Sequence, residues 1–249
     1  MTQGHENASV PPFEVLNGGE CPVVILCEHA SLALPEQWQW PAEDRWLVGT
    51  HWSIDIGVEE FCRLLVNGTG ASAILARFSR LLIDLNRDLK SPTLIRTRAD
   101  GRPIHLNQNV SERELQARIS EYWRPYHDAA DSLVRSVQNG FVLGLHSFTS
   151  NFEGSMRSME VGVLFDHDED VGLWAAEWLK QTGLNVVVNE PYSGKNGLMY
   201  SPQKHAAKNH RKTIELEIRQ DLLGNEAWRQ QWAPVFGEFM VAISQKWTR

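Results

Sequence analysis

The sequence is poor in the features that mark exported, membrane-embedded or nucleic-acid-binding proteins. Its three cysteines, Cys21, Cys27 and Cys62, have no C-x-x-C spacing, which argues against a disulfide framework and a sulfur-ligated zinc site. No apolar run is long enough to cross a bilayer. Lys and Arg number 24 against 31 Asp and Glu, for a formal net charge of -7, so the phosphate backbone of a nucleic acid is a poor partner.

The chain also lacks internal repeats, low-complexity tracts and Pro/Gly-rich linkers. Its 249 residues, 42% of them hydrophobic, are enough for one core, so we predict a single domain over residues 1–249. The first dozen or so residues, ending at Pro11-Pro12, are expected to be a flexible lead-in. Residues 1–10 are polar and have no apolar stretch, so we expect no secretory signal and a cytoplasmic location.

What the sequence does contain is an alternation of short apolar runs with helical patterns. Strands are predicted at residues 23–26, 73–76, 81–85, 141–145, 161–165, 186–188 and 214–218. Helices are predicted from the spacing of apolar residues 54–65, from a capping box at 111–114 to about residue 138, around residues 174–178, and from about residue 225. This alternation predicts an α/β protein with a mostly parallel sheet covered on both faces.

Polar side chains follow several of the predicted strands directly. Ligands of open parallel sheets bind outside the carboxyl ends of the strands, so these residues are candidates for a shared site. They are Glu28-His29, Asn86-Arg87, His146-Ser147, Asn189-Glu190 and Glu217 to Arg219.

An ordered set of sequence blocks, from about residue 23 to residue 223, resembles those of the N-formylglutamate amidohydrolases. The blocks are Cys27-Glu28-His29-Ala30, His51-Trp52-Ser53-Ile54-Asp55-Ile56-Gly57, Ser79-Arg80 through Asp84-Leu85-Asn86-Arg87, His146-Ser147-Phe148, Asn189-Glu190-Pro191-Tyr192-Ser193-Gly194 and Glu217-Ile218-Arg219-Gln220-Asp221. Two stretches, residues 84–87 and 217–219, are also distantly similar to zinc carboxypeptidases. The resemblance implies a three-layer α/β/α sandwich with a mostly parallel mixed sheet, as in the zinc exopeptidases and the phosphorylase/hydrolase-like proteins.

The resemblance also implies one Zn²⁺ ion per chain, or another divalent metal. His29 and His146 are the predicted imidazole ligands. Carboxypeptidases take a third ligand from a glutamate three residues after the first histidine, where this chain has Leu32, which cannot bind a metal. Asp55 is the expected replacement, although it is equally well explained as a carboxylate that stabilises a helix N-terminus. The reserve ligands are Glu28 and His51.

Glu217 is the predicted general base, since it begins the block that matches the water-activating glutamate of carboxypeptidases. Glu215 lies on the same strand face, because the spacing is two, and either carboxylate has a purely structural alternative as a partner of Arg219.

Arg87, assisted by Asn86, is the predicted clamp for a substrate carboxylate, because guanidinium binds carboxylate through two parallel hydrogen bonds. The structural alternative for Arg87 is an ion pair with Asp84 or Asp88. Formylglutamate has two carboxylates and needs a second cation. The candidates are Arg80 and Arg157, and either has an alternative as a surface arginine. Tyr192 is a candidate donor from a mobile loop, or simply a loop aromatic.

The predicted function is metal-dependent hydrolysis of the N-acyl amide of a small acidic amino acid, with N-formyl-L-glutamate giving formate and L-glutamate. The alternatives are a deacylase for another N-acyl amino acid, and a metal- or ligand-binding relative without catalysis. A small-molecule substrate is the only partner expected, with neither nucleic acid nor membrane, and the sequence leaves the oligomeric state open.

Overall fold

Seven strands form one mixed sheet in the computed structural model, which describes residues 11–152 and 154–248. The strands are β1 (Phe13–Leu16), β2 (Val23–Cys27), β3 (Ser72–Ala76), β4 (Phe141–Phe148), β5 (Val161–Leu164), β6 (Val186–Val188) and β7 (Thr213–Arg219). Their order across the sheet is β1-β3-β2-β4-β7-β5-β6. Strand β1 is antiparallel to β3, and β5 is antiparallel to β7, while every other neighbouring pair is parallel.

Helices cover both faces of this sheet. They are α1 (Val58–Thr69), α2 (Glu112–Arg118), α3 (Arg124–Ser136), α4 (Glu169–Lys180), α5 (Tyr200–Lys208), α6 (Gln220–Leu223) and α7 (Glu226–Trp247). A π-helical turn at Ile119–Trp123 joins α2 to α3. The buried faces of α1, α4 and α7 form one apolar layer, and those of α3 and α5 contribute to the other. The predicted three-layer α/β/α sandwich is confirmed.

Burial on both faces explains why the central strands are apolar throughout. In β2, Val23, Ile25 and Cys27 contact the layer of α1 and α7, whereas Val24 and Leu26 contact the layer of α3. Successive strand residues point to opposite faces, so a strand covered on both sides has no solvent-facing position for a polar residue.

The predicted strand at residues 81–85 is wrong. This segment is a series of turns, although Leu81, Leu82, Ile83 and Leu85 are buried. Its carbonyl groups accept hydrogen bonds from side chains instead of from a neighbouring strand. A short buried apolar run has the same composition in either conformation, so periodicity alone does not separate them.

Other predicted boundaries shift, and three of the labelled elements were not predicted. Helix α1 begins at Val58, not at residue 54, and β4 continues to Phe148, so that His146 lies within a strand instead of after it. The predicted long helix is present from Glu112 to Ser136, interrupted by the π-helical turn. Strand β1 and helices α5 and α6 had no prediction. Residues 1–10 of the predicted lead-in lie outside the described residues. Among the described helices, none is both long and apolar enough to cross a bilayer.

Arg118 ties the turn segment to α2 and is completely buried. Its Nη1 donates to the carbonyl oxygen of Leu82 (2.8 Å) and to Oδ1 of Asn107 (2.7 Å), and its Nη2 contacts Oε1 of Glu114 (2.5 Å). Asn107 in turn donates to the carbonyl oxygen of Leu81 at 2.7 Å. These side chains supply the hydrogen bonds that a β-ladder would otherwise give to this buried backbone.

We expect Arg118→Met to lower the free energy of unfolding by about 3 kcal/mol, because it leaves buried carbonyl and amide oxygens without donors. Urea unfolding measures the change. Arg113→Met, on the exposed side of the same helix, is the matched control and is expected to change stability by less than about 0.5 kcal/mol. Equal stability of the two variants would contradict the role of Arg118.

Two buried histidines join α3 to α5. Nδ1 of His127 is 2.8 Å from Nε2 of His205, and both side chains are almost fully buried. Burial, with Lys204 nearby, lowers the pKa of His205 to about 4. Burial also holds the pKa of His127 well below its usual range. Both imidazoles are therefore neutral in the native protein at neutral pH.

Stability is expected to fall as the pH drops from 7 to 5, because the unfolded chain takes up protons near pH 6.5 that the native His205 does not bind. His205 alone contributes about 2 kcal/mol to this loss. In urea unfolding at the two pH values, His205→Gln should reduce the pH dependence by that amount, and His167→Gln, an exposed control, should not. An unchanged pH dependence in His205→Gln would contradict a neutral native imidazole.

Candidate metal centre and substrate cavity

Three side chains from different elements meet beyond the carboxyl end of β2. His29 follows β2, Asp55 precedes α1, and His146 lies near the end of β4. Nδ1 of His29 is 3.1 Å from Nδ1 of His146, and Oδ2 of Asp55 is 3.3 Å from the first nitrogen and 2.9 Å from the second. All three residues are buried.

A glycine and two backbone contacts hold Asp55 in this position. Gly57, at the start of α1, has φ 79°, and a Cβ atom there would lie 2.2 Å from the carbonyl oxygen of Leu223. Only glycine fits such a turn against a neighbouring backbone. The Asp55 backbone N–H donates to the carbonyl oxygen of His29 (3.0 Å), and the Ser147 N–H donates to Oδ2 of Asp55 (3.2 Å).

The other ring nitrogen of each histidine faces a carboxylate. Nε2 of His29 is 2.7 Å from Oδ1 of Asp84, and Nε2 of His146 is 3.0 Å from Oε2 of Glu28. Asp84 accepts the Nε2 proton of His29 and leaves the Nδ1 lone pair of that ring facing the cluster, whereas Glu28 lies in ion-pair distance of His146 without a hydrogen bond. Metal-binding histidines are oriented in this way by outer carboxylates.

The donor atoms fit a metal ion. Ligands of a tetrahedral zinc, with Zn–N distances of about 2.0–2.1 Å, are separated by about 3.3 Å. The two Nδ1 atoms and Oδ2 of Asp55 have mutual separations of 2.9–3.3 Å. Two imidazole nitrogens and one carboxylate oxygen are also a donor set that zinc accepts, leaving a position for water. His29, Asp55 and His146 are the residues that would hold the ion.

The electrostatics of the cluster depend on its buried carboxylates. Burial alone would raise the pKa of Asp55, but His29 and His146 lower it far below the usual range. Burial alone would lower the pKa of His146, but Glu215, Asp55 and Glu28 raise it well above 6.5. Without a metal the cluster is therefore a carboxylate–imidazolium assembly, and a cation that binds to it displaces a proton.

Two glutamates of β7 lie on the sheet face of this cluster, as their spacing predicts. Oε2 of Glu215 is 3.5 Å from Nε2 of His146, and burial raises the pKa of Glu215 to about 7. Glu217 lines the cavity beside the cluster, and its Oε2 is buried without a hydrogen-bond partner in the described part of the chain. Burial raises the pKa of Glu217 well above its usual range. Arg219 pairs with Asp221 at 2.8 Å, so neither glutamate is its partner.

The cluster opens into a cavity of about 270 Å³. This volume is just below the range of about 300–1,000 Å³ for pockets that hold drug-sized ligands, and it suits a molecule as small as an acylated amino acid. The lining includes Glu217, the three cluster residues, His51, Trp52, Arg80, Asn86, Arg87, Arg96, Phe152 and Tyr192.

The predicted substrate-binding residues differ in how much of their hydrogen-bonding capacity is free. Nδ2 of Asn86 donates to Oε2 of Glu215 (3.1 Å) and to the carbonyl oxygen of Leu198 (3.1 Å), so this amide is already used. Arg80 pairs with Asp55 (3.3 Å) and with Asp84 (2.8 Å). The alternative pairing of Asp84 with Arg87 is not found.

Arg157 and Tyr192 lie together at the mouth of the cavity. The guanidinium carbon of Arg157 is 5.6 Å from the centre of the Tyr192 ring and 4.8 Å from that of Phe152, and its Nη1 donates to the carbonyl oxygen of Thr149. Tyr192 and Phe152 line the cavity, whereas Arg157 does not. Of the two reserve ligands, Glu28 faces the outer nitrogen of His146. His51 lines the same cavity but does not belong to the cluster, and its ring is tilted against that of Trp52.

Comparison with known proteins gives a consistent result. The sequence model of one family, N-formylglutamate amidohydrolase, matches residues 21–223. The chain belongs to the N-formylglutamate amidohydrolase family. It is therefore an amidohydrolase, and the resemblance stated from the sequence blocks is confirmed.

Relatives of this family member cover most of its length. It is 27% identical over 230 residues to the N-formylglutamate deformylase of Pseudomonas aeruginosa, an alignment that covers 81% of this chain and 82% of that protein. A crystal structure of a gene product from Agrobacterium tumefaciens matches with a TM-score of 0.87 and 28% identity over 95% of this chain and 96% of the other. The N-formylglutamate amidohydrolase of Ralstonia eutropha, at 20% identity and a TM-score of 0.69 over 95% and 98% of the two chains, supports the fold.

The sequence analysis missed two kinds of residue in this amidohydrolase. Asp84, which orients His29, was considered only as a partner of Arg87, although it lies in the same block as Asn86 and Arg87. Arg96 lines the cavity, but it belongs to no recognised block and to no predicted strand end. A charged residue on an irregular loop leaves no periodic signal, so only the fold brings it to the site.

The metal-free amidohydrolase is expected to bind one Zn²⁺ per chain and to release protons as it does so. In calorimetric titrations with a competing chelator, His29→Ala and His146→Ala should each weaken zinc binding by more than about 100-fold, which exceeds the 10–100-fold effect typical of outer residues. Asp84→Asn should fall within that smaller range. His167→Ala is the exposed control. Unchanged zinc affinity in both cluster variants would contradict the assignment.

Proposed function

We propose that this protein is a metal-dependent deformylase that hydrolyses N-formyl-L-glutamate to formate and L-glutamate. The observation that carries the proposal is the position of Glu217. Its carboxylate lines the same cavity as His29, Asp55 and His146, and one of its oxygens is buried without a partner in the described part of the chain. A purely metal-storing site has no use for such a carboxylate. The relatives from Pseudomonas aeruginosa and Pseudomonas putida, named N-formylglutamate deformylase, support the same substrate.

The three cluster residues would hold one Zn²⁺ or a similar divalent ion. A bound ion of this kind supplies a Lewis acid for the formyl carbonyl and lowers the pKa of water. The residues around the cluster keep its ligands ready. Asp84 orients the imidazole of His29, and Glu28 faces that of His146. Arg80 holds both Asp55 and Asp84 through its two terminal guanidinium nitrogens. This pre-organisation avoids reorienting the ligands during the reaction.

Glu217 acts as the proton carrier. It takes a proton from the water that adds to the formyl carbon, and it delivers that proton to the amide nitrogen as the C–N bond breaks. The water oxygen remains in formate, and the protonated nitrogen leaves in glutamate. Phe152 and Tyr192 contribute aromatic side chains to the lining of the cavity.

Arg87 binds the α-carboxylate of the substrate. Its Nη1 and Nε donate to neutral oxygens, the carbonyl of Asn86 (2.7 Å) and Oγ1 of Thr93 (3.2 Å), so its charge is available to an anion. Asn86 contributes mainly by fixing the backbone beside Arg87. Tyr192 is the candidate phenol donor. Arg80 and Arg157 are the candidates from the sequence for the second carboxylate, and Arg80 has its main role in ordering the cluster.

Replacing Glu217 by Gln should lower kcat for N-formyl-L-glutamate by at least about 1,000-fold, because the amide cannot accept the proton from water. Zinc content and thermal stability should stay at wild-type levels. Glu226→Gln, at an exposed position in the first turn of α7, is the matched control and should retain full activity. The readouts are steady-state kinetics and metal analysis of the purified proteins.

A substrate panel tests the choice of acyl group. The wild-type enzyme is assayed with the N-formyl, N-acetyl and N-succinyl derivatives of L-glutamate, with formate and amine release followed separately. We expect kcat/KM to be highest for the formyl derivative. Turnover of a bulkier derivative with no formylglutamate activity would refute the proposed substrate, and zinc binding without turnover of any derivative would refute catalysis.

A further inference from the structure

The three arginines that line the cavity differ in whether a carboxylate of the protein pairs with them. Arg80 is paired with two buried carboxylates, Asp55 and Asp84. Within residues 11–152 and 154–248, no carboxylate lies in ion-pair distance of Arg87 or Arg96, whose guanidinium groups contact only neutral oxygens or an aromatic ring. The cavity therefore contains two arginines, Arg87 and Arg96, that have no ion-pair partner in the described chain and face a bound ligand.

The surrounding loops hold Arg96 firmly at the cavity wall. Its carbonyl oxygen accepts a hydrogen bond from Nδ2 of the buried Asn107 at 2.8 Å. Its guanidinium carbon lies 5.3 Å from the centre of the Trp52 ring, within cation–π range. Trp52 is fixed in turn, because its Nε1 donates to Oδ2 of Asp100 at 3.0 Å.

Asp100 lies at the tip of a small hairpin formed by Arg98–Ala99 and Arg102–Pro103, with φ 47° at Asp100 and 71° at Gly101. Such a tight two-residue turn fixes the position of the Asp100 carboxylate relative to Trp52. The hairpin therefore orders the ring against which Arg96 stacks. Burial lowers the pKa of Arg96, as expected for a cation partly removed from water without a counter-ion.

We propose that Arg96 binds the side-chain carboxylate of the substrate, and that Arg96 and Arg87 together make the enzyme specific for N-acyl amino acids with two carboxylates. This inference rests on the proposed function. Arg80 is less suited to this role because its guanidinium is already shared by two carboxylates. Arg157 is less suited because it does not line the cavity and its guanidinium lies against the rings of Phe152 and Tyr192.

The assignment has a direct chemical consequence. A guanidinium on a partly buried wall binds a carboxylate through charge-assisted hydrogen bonds, and it favours that carboxylate over a neutral amide of the same shape. Arg96 should therefore determine whether the enzyme prefers a substrate with an acidic or a neutral side chain. Glu217 and the metal site, which serve the hydrolysis of the acyl group, should not affect this preference.

The test compares N-formyl-L-glutamate with N-formyl-L-glutamine, its neutral isostere, as substrates of the zinc-loaded enzyme. In Arg96→Met, kcat/KM for formylglutamate should fall about 100-fold, and that for formylglutamine should stay within about threefold of wild type. Arg96→Lys should recover part of the preference. Arg113→Met, an exposed arginine on α2, is the matched control and should retain the wild-type preference.

Equal losses for both substrates in Arg96→Met would overturn the inference in favour of a structural role. The inference also fails if Arg157→Met, and not Arg96→Met, removes the preference for the acidic side chain.

A binding experiment separates this inference from the proposed function. Glutarate and butyrate, a dianion and a monoanion of similar size, are titrated into the zinc-loaded protein by calorimetry, and neither requires catalysis. Wild type should bind glutarate more tightly than butyrate, and Arg96→Met should remove most of that difference. If the enzyme does not hydrolyse formylglutamate but Arg96→Met still loses the preference for glutarate, the assignment of Arg96 is supported and the proposed reaction is wrong. If Arg96→Met keeps the preference for glutarate, the site assignment is wrong.

Discussion

The contact between carboxylates and imidazoles in the core is the interaction on which the remainder of the site depends. Five carboxylates, those of Glu28, Asp55, Asp84, Glu215 and Glu217, are buried around His29 and His146. Isolated ionised carboxylates in such a place are strongly destabilising, so each contacts a cation, a hydrogen-bond donor or a metal ion, or has a raised pKa, as Glu215 and Glu217 do. Asp84 and Glu28 meet this requirement at the outer ring nitrogens, and Asp55 meets it between the inner ones.

The arginines of the cavity have two different roles. Arg80 pairs with carboxylates that belong to the protein: it lowers the pKa of Asp84 and holds Asp55 and Asp84 in position. Arg87 and Arg96 remain without such partners in the described chain. Two guanidinium groups without a carboxylate partner suit a ligand with two carboxylates, which connects the ion pairs of the site to the proposed class of substrate.

The sequence predicted the positions of candidate site residues most closely where they are tied to a regular element. His29 closely follows a short β-branched run that predicts a buried strand. Glu215 and Glu217 share a face of their strand because strand side chains alternate. The same reasoning failed at residues 81–85, where buried apolar side chains belong to turns whose carbonyl groups bind Asn107 and Arg118. Sequence separations of 26 and 36 residues join these partners, and no local pattern reports such contacts.

The sequence by itself determined the order of most strands and helices, the apolar layers on both sheet faces and the family blocks that include His29, Asp55, His146 and Glu217. These follow from local periodicity and from residue types that only a few structures accommodate. Tertiary structure alone decided which groups meet. It selected Asp55 over Glu28 and His51 as the neighbour of both imidazoles, gave Asp84 and Glu28 their outer positions, and brought Arg96 to the cavity. The reason is physical: such contacts depend on distances between elements, and chain packing sets those distances.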